Sequence, residues 1–181
     1  MSNVAFYTDG SVVSVGSQDI ESLKARVGDT ELKRIRLCAH RDAEDSLHEM
    51  FIVLSQETYI RPAKHLNKDE SLHVVEGRAD VIFYDEMGSI TQVIPLGDYA
   101  SGYQFFYRIR EPVYHSLLLR SDTFTFCETT LGPLRKSDTV LAPWSPDGND
   151  LVALRDFMER LKTKVEEFRR GSNVVTSNWG I

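Results

Sequence analysis

The sequence predicts a mainly β protein, a small barrel or jelly roll preceded by a short helix and followed by a long amphipathic one. Three observations carry this reading. Between Leu32 and Leu141 the apolar residues come in short runs broken by turn signals, among them Asp85-Glu86-Met87-Gly88, Leu96-Gly97-Asp98 and Arg110-Glu111-Pro112. No helical period interrupts that stretch, and closure is how a chain of many short strands removes its unpaired edges. On both flanks the apolar spacing switches to that of a helix.

Taken in order, residues 3–15 mix β-branched and small polar residues around Asp9-Gly10, which predicts a weak strand pair about a turn. Ser17 precedes Ile20, Leu23 and Val27 at helical spacing, so a short helix over 18–27 is expected, with Ser17 capping the exposed amides and Gly28 at its end. The clearest strands are 48–54, 59–65, 71–76, 80–84, 90–95, 103–108, 114–119 and 123–129. After Pro143-Trp144-Ser145-Pro146, the residues Leu151, Leu154, Phe157, Met158, Leu161, Val165 and Phe168 form one stripe of a helix over 150–170. Asn149 is its expected N-cap, Asp156 to Arg160 and Glu166 to Arg170 its expected ion pairs, and Gly171 its stop. The chain thus divides into an N-terminal extension over 1–31, a barrel over 32–146, and a helix and tail over 147–181.

With 181 residues, 41% of them hydrophobic and 27% charged, the chain is expected to form one domain around one core. Its net charge of −6 argues against a protein that coats phosphate backbones, so nucleic acid is not an expected partner. There is no apolar run long enough to span a membrane, and the opening MSNVAFYTDGS lacks the basic-then-apolar order of a secretory signal, which makes the cytoplasm the expected location. Cys38 and Cys127 have no CxxC partners and read as small apolar groups.

The informative stretch runs from Arg61 to Gly77. A strand ends at His65, a polar turn follows, and a new strand starts at Glu70, so the two side chains can converge across a hairpin. His115 opens a later strand that a barrel can bring beside them. Two imidazoles and one carboxylate suit a borderline divalent metal that keeps open positions: Zn, Fe, Mn or Ni.

These residues resemble the first cupin motif, His-x-His, three or four residues, Glu, six residues, Gly. His65, Glu70 and Gly77 fit it, while Ala63 stands at the first histidine position. His115 after Arg110-Glu111-Pro112 resembles the histidine of the second motif, with an altered turn. More narrowly, Arg36-Leu37-Cys38-Ala39-His40, Glu49-Met50, Arg61-Pro62, Glu70-Ser71, Glu76-Gly77, Glu128-Thr129 and Ala142-Pro143-Trp144 resemble, in order, the WbuC-type cupin metalloproteins. The resemblance covers roughly 34–146 and implies a cupin barrel, a bound metal and a setting among genes for surface polysaccharide such as O-antigen.

Around this set, Tyr59, Arg61, Ala63 and His65 share one face of an unbroken strand. Arg61 is then a candidate for a phosphate or carboxylate and Tyr59 for proton donation or stacking on a sugar; the structural alternative pairs Arg61 with an acid and puts Tyr59 in the core. His73, three residues past Glu70, points to the opposite sheet face. His40 and His48 lie on strands whose register is open, and Glu128 is an isolated second carboxylate. Of Tyr103, Phe105 and Tyr107 against Gln104, Phe106 and Arg108, only one set can face inward, and the aromatics suit the core.

Three functions fit: a metal-assisted isomerase or epimerase of an activated sugar, an Fe(II) dioxygenase, and a non-catalytic sugar-binding or regulatory barrel, for which Ala63 is the best argument. The expected partners are a small sugar-type molecule and a second copy of the chain, joined where the C-terminal helix packs on the barrel's outer face.

Overall fold

The structure, a computed structural model, describes residues 5–171. It consists of two facing β-sheets, one helix on the outside of each, and a cavity between them. The first sheet is ordered β1 (Ala5–Tyr7), β2 (Arg34–Cys38), β3 (Leu47–Ser55), β10 (Thr123–Leu131), β5 (Glu70–Glu76) and β8 (Phe106–Ile109). The second is ordered β11 (Thr139–Leu141), β4 (Ala63–His65), β9 (Tyr114–Leu119), β6 (Arg78–Tyr84) and β7 (Ile90–Gly97). All pairings but β1 with β2 are antiparallel ladders. The jelly-roll class is as expected, but the two sheets are not joined into a closed barrel. They approach where β5 and β10 meet β7 and β6, and part between β2 and β11.

Several local expectations are corrected. The opening segment contributes one strand, not a pair about Asp9-Gly10: β1 pairs parallel with β2, and Phe6 is held under the Arg26 guanidinium, 4.8 Å from its ring centre. Residues 3 and 4 of that expectation lie outside the described residues. The strand expected over 59–65 shrinks to Ala63–His65, because Pro62 has no amide for a ladder; its carbonyl instead accepts from the Ala142 amide at 2.9 Å. The strand expected over 103–108 begins only at Phe106, leaving Tyr107 as the one of the three aromatics that is buried.

Helix α1 (Ser17–Val27) is capped by Gly16 and not by Ser17: the Asp19 carboxylate reaches back to accept the Gly16 amide at 2.8 Å. Its buried residues Ile20, Leu23 and Val27 pack on Ile35 and Val53, the outward side chains of β2 and β3. Helix α2 (Leu151–Gly171) lays Leu161 and Val165 on the outer face of the second sheet, against Ile82, Tyr84, Val93, Tyr114 and Leu118. Asp150, not Asn149, caps it, accepting from the Val152 and Ala153 amides at 3.0 Å. Neither expected ion pair within α2 forms among the described residues, and Glu166 turns instead to Arg120 at 2.6 Å. Gly171 is the last described residue and is still helical; the tail over 172–181 lies outside the description.

Arg120 also ties Asp80, 1% exposed, whose Oδ2 accepts from its Nε at 2.7 Å, and Arg169 from α2 approaches the same carboxylate at 3.5 Å. The buried acid thus fixes α2 to β6 and β9. Between the sheets lies the third apolar cluster, including Met50, Leu54, Leu72, Val81, Leu96 and Phe124. It fills the side where the sheets approach and leaves the other side open.

Candidate metal centre

His65 ends β4 and Glu70 starts β5, so the expected hairpin is not one. The two strands belong to opposite sheets, and the 66–69 turn crosses the gap between them. Asn67 makes the crossing in the left-handed region at φ 59°, which asparagine tolerates better than most residues. His115 stands beside this pair because β9 pairs with β4 through Ala63 and His115.

The three side chains converge. Glu70 lies between the imidazoles, with Oε2 3.4 Å from His65 Nε2 and Oε1 3.4 Å from His115 Nε2. One donor atom from each residue lies within 4.8 Å of the others. Both rings are held from behind: His115 Nδ1 donates to the Val113 carbonyl at 3.0 Å, and His65 Nδ1 meets the Thr139 hydroxyl at 3.1 Å. A neutral His115 therefore keeps its lone pair on Nε2, facing Glu70 and His65. Rear support of this kind is what metal-ligating histidines use to fix tautomer and orientation. The donor set and its orientation fit a divalent transition metal.

The electrostatics are those of three partly desolvated groups that act on one another. Burial, the largest influence on His65, pushes its imidazole below the ordinary range against the pull of Glu70. Burial would also lower His115 and raise Glu70, but their mutual hydrogen bond and charge outweigh it. His115 is held above, and Glu70 below, the usual value.

The trio opens on a cavity of about 900 Å³ between the sheets, on the side where β2 and β11 part. Glu128 lines it from β10, in register with Leu72 and therefore one inward layer from Glu70. Burial, and after it the Glu70 carboxylate, push the Glu128 carboxyl up to about 8. His40 and His48 line the same cavity but join no triad: they stack face to face at 4.1 Å, and the His40 Nδ1 accepts the Glu49 amide at 3.2 Å. His48, only 3% exposed, has no partner for Nε2 among the described residues. His73 faces outward as expected, against Phe105 at 5.5 Å.

Tyr59 and Arg61 line the cavity but not on a strand shared with His65. The Tyr59 hydroxyl donates to the Pro146 carbonyl at 3.0 Å, and burial pushes its phenol up. Among the described residues Arg61 pairs with no acid: its Nε donates to Ser145 Oγ at 3.1 Å and its Nη2 to the Ser145 carbonyl at 3.2 Å. Both thus brace the 142–146 segment against the cavity wall. Arg34 and Arg36 also line the cavity, from β2, and are not among the candidate ligand-binding residues that the sequence offers. Their signal was the alternation Arg34-Ile35-Arg36-Leu37, once α1 is seen to take the apolar side.

Residues 15–96 match a family described as a domain of unknown function, DUF6016. No curated protein matches the chain. Among solved structures, an uncharacterized conserved protein with a double-stranded beta-helix domain from Klebsiella pneumoniae is 12% identical, with a TM-score of 0.51 over 74% of this chain and 98% of that one. A protein from Shewanella oneidensis is 14% identical, at 0.47 over 68% of this chain and 77% of that one. A sugar phosphate isomerase from a cupin superfamily, from Silicibacter pomeroyi, is 16% identical, at 0.38 over 49% of this chain and 52% of that one. The first likeness shows the fold alone, a double-stranded β-helix jelly roll. No described helix is long and apolar enough to cross a membrane.

Proposed function

We propose that His65, Glu70 and His115 hold a divalent transition metal and that the protein isomerises or epimerises a small sugar-type molecule in the adjoining cavity, in a WbuC-like setting of surface polysaccharide metabolism. The observation that carries the reading is the convergence of two rear-braced imidazoles on one buried carboxylate at the wall of a 900 Å³ cavity. When bound, the metal supplies Lewis-acid polarisation of a carbonyl or hydroxyl. The chain's own residues supply the rest. Glu128, pushed up to about 8, is the proton carrier: its ionised form takes a proton from the carbon beside a substrate carbonyl and returns it to the former carbonyl carbon, while the proton of the adjacent hydroxyl passes to the former carbonyl oxygen. Leu72 and Tyr107 close the deep wall against water, and Tyr59 and Arg61 position the wall that a sugar ring would lie on.

Metal analysis of protein purified without added metal tests the centre. About one ion per chain is expected, and less than a tenth of that, with no uptake of Mn, Fe, Ni or Zn on titration, would sink it. Exchange of a carbon-bound proton of a sugar phosphate in heavy water, followed by NMR, tests the reaction.

A second reading follows from the same donor set. Two histidines and one carboxylate with open positions also suit Fe(II) and dioxygen. Iron in the purified protein, with oxygen consumption, would favour it. Either way the partner set we propose includes a second copy of the chain, at the edge strand β8 with its exposed Phe106 and the neighbouring Phe105 and not at the C-terminal helix, whose Leu161 and Val165 are taken up by its own sheet.

A further inference from the structure

Strand β2 puts its charged side inward. Ile35 is buried under α1 with Leu37 beside it, so Arg34, Arg36 and Cys38 face the cavity. The register sets Arg34 beside Leu54 and Arg36 beside Ile52, and the next strand adds Phe124 and Phe126 to the same rows. Two guanidiniums therefore rise from an apolar wall.

Neither is in an ion pair among the described residues: the carboxyl whose charge reaches them is Glu128 on the same cavity, which burial keeps largely protonated at neutral pH. Among those residues the one side-chain contact of the pair is Arg36 Nη1 to Met50 Sδ at 3.8 Å. Burial, followed by the charge of Arg36, lowers the Arg34 pKa, so the two cations stand close and partly dry. Apolar side chains would continue this wall at less cost, since a desolvated charge without a partner is destabilising. Arginine is instead the side chain that binds carboxylate and phosphate bidentately.

We propose that Arg34 and Arg36 bind the acid group of an organic anion, a sugar carrying one phosphate or carboxylate, whose other end lies at the His65, Glu70 and His115 centre. The proposal deepens the function above and rests on it for that far end only. The spacing suits such a molecule. Arg36 shares a row, through Ile52 and Phe126, with Val74. Val74 lies four residues from Glu70, roughly 13 Å along the strand, and three strand spacings across the sheet add roughly 14 Å at right angles, so the backbones stand about 19 Å apart and the long arginine and the glutamate side chains shorten that gap from both ends.

Calorimetry on the full chain with glucose 6-phosphate, glucuronate and glucose tests it, with and without a chelator. At least one of the two acids should bind about tenfold or more tightly than glucose, with an advantage that falls as salt is added. Which acid wins identifies the group. Arg34→Gln and Arg36→Gln should each remove that advantage while melting no lower than the parent without ligand, because each removes an unpaired charge. Equal binding of all three sugars, no binding of any, or an acid preference that survives both substitutions would overturn the proposal. Acid preference in protein that holds no metal would sink the metal reading and leave this one standing; metal without acid preference would do the reverse.

Discussion

At the scale of single residues, Ala63 and His48 show what a neighbour's geometry decides. Ala63 sits two positions before His65 on β4, on the same face, and pairs directly with His115. Ala63→His should therefore add an imidazole beside the trio and tighten metal binding by about an order of magnitude or more. Titration with a competing chelator measures this, and unchanged affinity would mean that position 63 does not face the metal. Burial, aided by the nearby His40 and Lys68, lowers the His48 pKa from the ordinary 6.5. The unfolded chain thus takes up the proton first as pH falls. Stability should drop as pH goes below about 6.5 and stop dropping once the lowered folded value is passed. Chemical denaturation across pH 5 to 8 should show that slope in the parent and a shallower one in His48→Leu; equal slopes would refute the assignment.

At the scale of elements, α2 is held by two different forces, and each can be removed separately. Leu161 and Val165 are buried against the second sheet, so Leu161→Ala should cost about 2 to 5 kcal/mol. Arg120→Met would leave Asp80 facing only Arg169 at 3.5 Å, at a cost of about 3 kcal/mol or more in urea unfolding. A loss below 1 kcal/mol would show that the buried acid does not anchor the helix. How much of this was legible differs by element. The long strands and both helices declare themselves through local periodicity, and the nearness of His65 to Glu70 is legible because only four residues separate them. Strand β11 is short and borrows its partner from distant sequence, so no local pattern marks it, while β2 carries only the brief alternation of Arg34-Ile35-Arg36-Leu37. That β4 and β5 lie in opposite sheets is likewise a fact of topology, and Arg34 and Arg36 become inward residues only when α1 claims the other side of their strand.

At the scale of the whole molecule, apolar packing is divided among three clusters, two of them outside the sheets, and the opening between β2 and β11 is a cavity in which charged side chains stand among apolar ones. The proposed dimer places its contact elsewhere, around β8, where Phe106 is half exposed and Tyr99 nearly fully so. Light scattering should give twice the chain mass at micromolar concentration and Phe106→Glu should return it to one; a parent already of single mass would refute the dimer. The division of packing has one more consequence, for how the protein can change over generations. Within Arg34–Cys38 the odd and even positions answer to different selective pressures. A library over these five residues screened for folding alone should fill 35 and 37 with aliphatic side chains and let 34 and 36 drift. On the proposed role of Arg34 and Arg36, relatives of this chain could exchange one acidic ligand for another by altering alternate letters of a single short strand, without renegotiating the contacts that keep the chain folded.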